Sequence, residues 1–204
     1  GRWRMKAGTN LEKVLEAGHF AVTAEVGPPK GTDPQAITKK GARLKECCDA
    51  INVTDNQTAI TRMCSLGACI IAKQMGLDPV MQMTCRDRNR IAIQSDILGA
   101  VAHGVRNCLC ISGDHQSFGA AGRLKGHPGS KNVYDIDSIQ LVNVLKGMRD
   151  DNRLQGGDPI DHPTPLFVGA AWTPMGDPID IRVGRLAKKI NAGADFIQTQ
   201  GVYD

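Results

Sequence analysis

Short apolar segments alternate with segments of helical period along most of this sequence, and this alternation constrains the fold more than any other feature. The apolar segments predict six strands, at 20–25, 50–54, 80–84, 108–112, 166–171 and 196–200. The stretches between them predict five helices, near 34–47, 59–75, 89–103, 136–149 and 179–192. The first strand ends follow one another at about the length of a βαβ crossover, roughly 30 residues. The pattern therefore predicts a parallel sheet whose strands are joined by helices.

A sheet of this kind is either an open doubly wound sheet or a closed (β/α)8 barrel of the TIM type. A dinucleotide-binding sheet needs a glycine fingerprint after its first strand, whereas the turn here reads Glu25-Val-Gly-Pro-Pro-Lys30. A polar or acidic residue instead ends nearly every predicted strand: Glu25, Thr54, Thr84, Asp114, Trp172 with Thr173, and Gln200. In a barrel such residues gather around one rim, where the active site lies. We therefore expect an α/β barrel.

The strand count bears on domain organisation. Six strands are two fewer than a closed barrel of this type requires, and an open arc exposes unpaired strand edges. We therefore expect residues 1–204 to form a single barrel domain that holds the first six strand-helix units and is incomplete at its C-terminus.

Composition and charge exclude several classes of protein. The formal net charge of +4 is mild, and the 25 basic residues are scattered rather than gathered into a surface for nucleic acid. No apolar run approaches the roughly 18 residues of a membrane span, and the first residues lack the apolar segment of a secretory signal. We expect a cytoplasmic protein with no nucleic-acid partner and no membrane span.

The seven cysteines predict reduced, buried thiols, because their number is odd and their spacing is not that of a small disulfide scaffold. Cys108 and Cys110 share one face of a predicted strand, but no second Cys or His pair stands nearby at a ligand-like spacing. We therefore expect no metal site.

The long stretch 113–133 is rich in glycine, polar and basic residues and has no periodicity. Loops of that length in compact domains are usually functional or disordered. No P-loop frame can be drawn through it. Two interpretations stay open: a flexible basic loop beside the phosphates of a ligand, or a solvated linker.

Two carboxylates stand out at the predicted strand ends. Glu25 precedes a Val-Gly-Pro-Pro turn that holds it at the rim. We expect apolar neighbours around it, which disfavour the charged form of a carboxyl and let it act as an acid near neutrality. Asp114 follows Gly113, where the absence of a side chain permits close approach by a flat ligand. Taken locally, a solvated surface role for Glu25 and a loop-bracing role for Asp114 are the alternatives.

Five motifs carry a resemblance to a known family. They are Ala24-Glu25-Val-Gly-Pro-Pro, Val53-Thr54, Met83-Thr84-Cys85-Arg-Asp, Gly104-Val-x-Asn-x-Leu-x-Ile-Ser-Gly113-Asp114, and Ala192-Gly-Ala-Asp-x-Ile-x-Thr199-Gln200. In this order and spacing the sequence resembles the methylenetetrahydrofolate reductase family, whose fold is a barrel. The resemblance implies an oxidoreductase of one-carbon metabolism that converts 5,10-methylenetetrahydrofolate to 5-methyltetrahydrofolate by hydride transfer from a reduced flavin.

The resemblance implies roles for residues of the reaction centre. Glu25 matches the general acid that assists protonation of the leaving nitrogen as the bridged folate opens to an iminium. Asp114 matches a carboxylate between flavin and pterin, which steadies the developing cation and binds the pterin. Gln200 matches a glutamine that contacts the substrate or a nicotinamide.

The resemblance also implies a flavin site. Thr54 matches the residue close to the reactive N5 edge, and Lys188 with Lys189 matches a basic pair that serves the pyrophosphate. The other positions implied to contact the cofactor are Asp55, Gln82, Ser112, Gly113, Asp114, Tyr134, Asp135, Ala171 and Trp172.

Several positions depart from the family pattern. Gln82 stands where many relatives have His, and Ser112 replaces a frequent Arg. Arg182 and Arg185 stand where relatives often carry Asp and Asn, and the segment 172–174 is a shortened version of a longer loop near the adenine. The resemblance therefore implies FAD, with FMN possible. It implies NAD(P)H or a reduced partner subunit as electron donor, and an oligomer or hetero-complex.

Two other functions fit the same fold and stay open at this point. A pterin-binding methyltransferase barrel shares an acidic pterin contact but needs no flavin. A non-catalytic barrel subunit of an electron-transfer complex needs neither Glu25 nor Asp114 at the rim. Bound oxidised flavin, which is yellow, distinguishes the reductase from both.

Overall fold

The computed structural model describes residues 5–117 and 126–203. Its six parallel strands are β1 (Thr23–Val26), β2 (Ala50–Val53), β3 (Pro79–Thr84), β4 (Asn107–Ile111), β5 (Phe167–Trp172) and β6 (Phe196–Thr199). Each strand pairs with the next one in the sequence. A doubly wound sheet reverses its strand order at a switch point, and the described strands show no such reversal. The sheet is a curled arc of a (β/α)8 barrel, as predicted.

The helices are α1 (Asn10–Glu16), α2 (Gln35–Leu44), α3 (Ser65–Gln74), α4 (Arg90–Ala102), α5 (Ser138–Asp150) and α6 (Ile179–Ala192). Side-chain caps fix where several of them begin. Asn89 accepts from the backbone N–H of Ile91 and Ala92 at 3.1 and 3.0 Å. Asp137 forms a capping box with Gln140 at the start of α5. None of the described helices is long and apolar enough to cross a membrane.

The observed helices differ from the predicted ones in two places. The predicted helix 59–75 begins only at Ser65, because Asn56, Thr58 and Ala59 take positive φ angles in a short 3₁₀ turn (Gln57–Ala59). Helix α1 has no counterpart among the predictions, since its seven residues are too few for a clear apolar period. Part of the predicted loop 113–133, residues 118–125, lies outside the described residues.

The two faces of the arc carry different cores. The outer face packs against the helices through a large cluster that includes Ile51, Met81, Cys108 and Cys110. Cys108 and Cys110 thus share one buried face, as the alternation of a strand requires. Cys47 and Cys64 are exposed, however, and Cys48 is only partly buried, so the expectation of uniformly buried thiols is wrong for these three.

The inner face holds a smaller cluster in which α1 closes the amino end of the arc. Leu11 packs there with Val80, Leu109 and Phe167. The Phe167 and Phe196 rings stack with their centroids 4.9 Å apart. Gly169 makes room for this pair, because a Cβ at that position would lie 2.2 Å from the Phe196 ring.

Buried polar side chains at the amino end have hydrogen-bond partners. Glu12 is fully buried, and its carboxylate accepts the backbone N–H groups of Lys6, Ala7 and Gly8 at 2.5, 2.8 and 2.6 Å. Thr9 caps α1 and donates to the side chain of Asn107 at 2.7 Å. These contacts hold α1 across the amino end of the arc.

Candidate active site

The carboxyl ends of the strands surround a large cleft of about 700 Å³. Its lining residues are Glu25, Thr54, Asp55, Gln57, Thr58, Gln82, Thr84, Arg86, Leu109, Ile111, Ser112, Gly113, Asp114, Ala171, Gln198, Thr199, Gln200 and Gly201. The structure thus brings Glu25, Asp114 and Gln200 to one cavity, together with Thr54 and Gln82. Their common location follows from the parallel sheet, whose strands all end at this rim.

Glu25 lies near the end of β1, on the inner face of the arc. The strand register pairs it with Asn52 of β2, so the two residues lie side by side on neighbouring strands roughly 5 Å apart. Glu25 is exposed to the cleft, so the apolar enclosure expected from the sequence is wrong for the described residues. Polar side chains from other strands, such as those of Thr54 and Gln82, line the same cleft.

Two buried polar atoms at this end of the arc lack partners within the described chain. Thr54 is 3% exposed and its Oγ1 makes no hydrogen bond, and the same holds for Oδ1 of Asn52, which is 4% exposed. Buried polar groups are rarely left unpaired, and each unpaired group costs about 1–3 kcal/mol. The Thr54 hydroxyl lines the cleft, so a bound ligand could supply its missing partner.

The hydrogen-bond partners of Asp55 come from the protein itself. Its carboxylate accepts the backbone N–H and the hydroxyl of Thr84 at 3.0 and 3.1 Å. Arg88 donates to both of its oxygens, at 2.6 and 3.1 Å. Asp55 borders the cleft, but these contacts tie the end of β2 to β3 and occupy most of its acceptor capacity.

Arg86 joins three strand ends and was not singled out from the sequence. Its side chain is 2% exposed and donates to the carbonyls of Asn56 and Asp114 at 3.0 and 3.2 Å. Asp87 accepts from the same guanidinium at 2.8 and 2.7 Å. Burial opposes the charge on Asp87, but the hydrogen bonds and charge of Arg86 outweigh it and lower the pKa of Asp87. Arg86 therefore fixes the backbone that presents Asp114.

The turn after β4 is held close to β3. Gly113 has a φ of +84°, and a Cβ there would lie 3.0 Å from the Thr84 side chain. Tyr134 donates its hydroxyl to the Gly113 carbonyl at 2.9 Å, and burial raises the pKa of Tyr134. Asp114 follows with its side chain exposed at the cleft. The glycine is thus required by both the backbone angle and the lack of space.

The predicted loop returns along the same rim. His127 donates its backbone N–H to the Ala59 carbonyl at 2.9 Å, and Val133 donates to the Arg86 carbonyl at 2.7 Å. Asp135, predicted to contact a cofactor, pairs instead with the exposed Arg90, whose Nε lies 2.8 Å from it. Hydrogen bonds from Arg90 lower the pKa of Asp135. Asp135 does not line the cleft.

A second pocket of about 250 Å³ adjoins the cleft and shares Ile111, Ser112 and Ala171 with it. Its other lining residues are Cys110, Ser138, Trp172, Thr173, Arg182, Arg185 and Lys189. Three cations and no carboxylate stand among these residues. The pocket is therefore suited to an anionic group next to whatever fills the cleft.

The predicted lysine pair is divided between two surfaces. Lys189 lines the second pocket, and its ammonium donates to the Ala171 carbonyl. Burial and then the charge of Arg185 lower the pKa of Lys189. Lys188 faces a separate groove beside Ile139 and Asn143 of α5. Adjacent residues on a helix point about 100° apart, which separates the two side chains.

Other residues that shape the site escaped the sequence analysis. Gln198 lines the cleft in register with Ala171, and Asn52 stands beside Glu25. The signal for both was available, because the period of two in a strand puts Asn52 on the face of Thr54 and Gln198 on the face of Gln200. Arg86 carried no such signal, since a single Arg after a strand is ordinary.

The comparisons with known proteins agree with this architecture. A family model described as methylenetetrahydrofolate reductase matches residues 10–204. A solved structure, described as an uncharacterized protein from Clostridium thermocellum that binds two copies of 5-methyl-5,6,7,8-tetrahydrofolic acid, is similar with a TM-score of 0.57 and 15% identity. That likeness covers 95% of this chain and 59% of the other, and it concerns the fold alone. Among curated proteins no match is found.

Proposed function

This chain belongs to the methylenetetrahydrofolate reductase family, and from that premise we propose that it is the cofactor-binding barrel of a flavin-dependent oxidoreductase. The proposed reaction reduces 5,10-methylenetetrahydrofolate to 5-methyltetrahydrofolate. The observation that carries the proposal is the meeting of Glu25 and Asp114 in one cleft, from the end of β1 and the turn after β4. The folate ligand named for the structural neighbour is in keeping with a folate in this cleft.

The residues of the cleft fit a flavin. The buried Thr54 hydroxyl has no partner among the described residues and lines the cleft, so a ligand there can supply one. The cationic pocket adjoins the same cleft and suits the phosphate end of the cofactor. We propose that Thr54, Gln82, Ser112, Gly113 and Ala171 surround the ring and its side chain. Trp172 and Lys189 would hold the phosphate end. A reduced flavin, when bound, supplies the hydride.

The chain's own carboxylates supply the remaining chemistry. In the proposal Glu25 donates a proton to the leaving nitrogen of the bridged folate, so that the ring opens to an iminium cation. Asp114 stabilises the positive charge as it develops. Gln200 contacts the substrate at the opposite end of the cleft wall, on the turn after β6.

Asp114 is well placed for this role because its backbone is fixed. Arg86 binds its carbonyl, and Tyr134 binds the carbonyl of the preceding residue. A carboxylate that is already oriented needs no rearrangement when charge develops near it. We propose NAD(P)H or a reduced partner subunit as the electron donor and assembly into an oligomer or hetero-complex, as the family resemblance implies.

The proposal is tested on the purified protein at its full natural length. We expect a yellow preparation with the absorbance of oxidised flavin, or an apoprotein that regains it when flavin is added. Rapid mixing of the reduced protein with methylenetetrahydrofolate should reoxidise the flavin and form 5-methyltetrahydrofolate. A protein that binds 5-methyltetrahydrofolate but no flavin would favour the methyltransferase, and one that binds neither would favour the non-catalytic subunit. Either result overturns the reductase.

A further inference from the structure

Two arginines with almost no exposed side chain form the same kind of ion pair at opposite ends of the arc. Arg86 donates through Nε and a terminal nitrogen to both carboxylate oxygens of Asp87, at 2.8 and 2.7 Å. Arg149 binds both oxygens of Asp150 in the same way, at 2.7 and 3.3 Å. In each pair the carboxylate of the next residue orients the guanidinium, and the remaining N–H groups are available for backbone carbonyls.

The carbonyls that accept from the two arginines lie in different parts of the fold. Arg149 donates to the Leu166 carbonyl at 3.1 Å, directly before β5, and does not line the cleft. Arg86 lines the cleft and donates to the carbonyls of Asn56 and Asp114, at 3.0 and 3.2 Å. These two carbonyls belong to the turns after β2 and β4, on either side of β3. Arg86 therefore connects two parts of the cleft wall.

The turn after β2 has a conformation that its residue types do not favour. Asn56, Thr58 and Ala59 have φ angles of +44°, +60° and +57°, a region that is uncommon for non-glycine residues and rarer still for β-branched ones. Strain of this kind persists only where the surrounding structure holds it, and it is frequent at ligand sites. Here the Asn56 carbonyl accepts from Arg86, and the Ala59 carbonyl accepts the backbone N–H of His127 at 2.9 Å. Contacts from distant segments thus maintain the turn.

The same turn presents two polar side chains to the cleft. Gln57 and Thr58 are exposed and line its wall. The amide of Gln57 carries both a hydrogen-bond donor and an acceptor without a charge. Asp114, on the other turn that Arg86 holds, lines the cleft as well. A misplacement of about 1 Å can cost about 10²-fold in rate, so the side chain that fixes both turns matters for the reaction.

From these contacts we propose that Arg86 is a positioning residue, which fixes Asp114 for the chemical step and Gln57 for substrate binding. The inference rests on the proposed function and deepens it, because it assigns binding and chemistry to two turns held by one side chain. Asp114 acts on the charge that develops during the reaction. Gln57 contacts the substrate equally in the ground state and the transition state. A lysine does not replace Arg86, because one nitrogen cannot keep the fork to Asp87 and reach both carbonyls.

Arg86→Lys in the full-length holoenzyme tests this role. Stopped-flow absorbance of the folate half-reaction, expressed per bound flavin, gives the limiting rate and the folate concentration at half that rate. We expect the limiting rate to fall about 10- to 100-fold. The half-saturating folate concentration should rise about three- to tenfold through the displaced Gln57. Asp87→Asn removes only the charge that orients Arg86, so it should change both quantities in the same directions by smaller factors, and it replaces Arg86→Lys if that variant does not fold.

Two double variants separate positioning from a general structural effect. In the Asp114→Asn background, Arg86→Lys should lower the limiting rate by less than about threefold, because the carboxylate that it positions is already gone. In the Gln57→Leu background, it should leave the half-saturating folate concentration nearly unchanged for the same reason. A general structural effect would lower the rate by the same factor in every background.

Arg149→Lys is the matched control, because it makes the same change in the same kind of ion pair away from the cleft. It should lower the melting temperature, as Arg86→Lys does. Both folate constants should stay at their wild-type values.

Each outcome decides a different point. Equal rate losses for Arg86→Lys with Asp114 and with Asn at that position would overturn the positioning of Asp114, as would similar losses in Arg149→Lys. A half-saturating concentration that still rises in the Gln57→Leu background would overturn the part assigned to Gln57. These results leave the flavin-dependent reaction standing, whereas a wild-type holoenzyme without a folate half-reaction would overturn the proposed function and the inference with it.

Discussion

The two ends of the barrel arc treat their buried polar groups differently. At the amino end the carboxylate of Glu12 receives three backbone N–H groups, and Thr9 is bonded to Asn107. At the carboxyl end, Thr54 and Asn52 have buried oxygens with no partner among the described residues.

This difference links the amino end to the stability of the protein and the carboxyl end to its function. A satisfied buried group adds to stability, whereas an unsatisfied one subtracts from it and is kept only where something else completes it. The amino end also buries Asp195, whose carboxylate binds Arg149 at 2.5 Å and the backbone N–H of Val168 at 2.8 Å. The comparison predicts that substitutions at the amino end lower stability and that those at the carboxyl end lower activity.

The largest expected effect is at Glu25. Glu25→Gln keeps the shape and hydrogen bonding of the side chain but removes the transferable proton. Hydride transfer to methylenetetrahydrofolate should fall by about 10²–10⁴-fold, while reduction of the flavin by its donor stays near the wild-type rate. Stopped-flow absorbance measures the two half-reactions separately. A folate half-reaction within a few-fold of wild type would rule out Glu25 as the acid.

A control belongs to the same experiment. Because Glu25 is exposed, its replacement should shift the free energy of unfolding by less than about 0.5 kcal/mol. A large loss of stability would show that Glu25 has a structural role. The two ends would then not differ in the way proposed.

The opposite result is expected at Glu12. Glu12→Ala leaves three backbone N–H groups without their acceptor, of which that of Ala7 is buried, and should lower the free energy of unfolding by about 2–3 kcal/mol. Glu12→Gln keeps one carbonyl oxygen as an acceptor and should lose less. Urea unfolding followed by circular dichroism gives both values. The flavin affinity of the folded variants should match that of the wild type. A loss of flavin affinity without a loss of stability would contradict the assignment of the amino end to stability.

The smallest effect makes the sharpest comparison, because the same substitution is made at each end. Thr9→Val loses a helix cap and a bond to Asn107 and should cost about 1–2 kcal/mol in stability. Thr54→Val removes an unpaired hydroxyl and should leave the flavin-free protein equally stable or up to about 1 kcal/mol more stable.

The two variants should rank in the opposite order when flavin affinity is measured instead of stability. Thr54→Val should weaken it about five- to tenfold if the hydroxyl donates to the cofactor, and Thr9→Val should leave it unchanged. Thermal melting and flavin titration of the two variants, side by side, measure both quantities. Equal losses of stability at the two positions would show that Thr54 has a partner and that the carboxyl end is not poised for a ligand.

Much of the fold could be predicted from the sequence because the signals are local. The period of two in strands and the helical period between them located all six strands to within a few residues. Strand-end residues such as Glu25 and Asp114 could be assigned to one rim, because every parallel strand in such an arc ends there. Helix α1 escaped because its formation depends on the Thr9 cap and on contacts of Glu12 with residues before it.

The site was predicted less completely than the fold. Asp135 and Lys188 were expected at the cofactor from resemblance, but Asp135 pairs with Arg90 and Lys188 faces α5. The separation of Lys188 from Lys189 could have been foreseen from the helical period. The role of Arg86 could not, because two of its partners, Asn56 and Asp114, lie 30 and 28 residues from it in the sequence.

By itself the sequence determined the order of the strands, the rim at which polar residues collect, and the family to which the chain belongs. Each of these follows from the residue types and their spacing along the chain. Only the tertiary structure decided which polar groups are satisfied, because a hydrogen bond depends on partners from distant segments. It decided that Glu25 is open to the cleft and that Asp55 is held by Arg88. It also decided that the buried hydroxyl of Thr54 has no partner within 5–117 and 126–203.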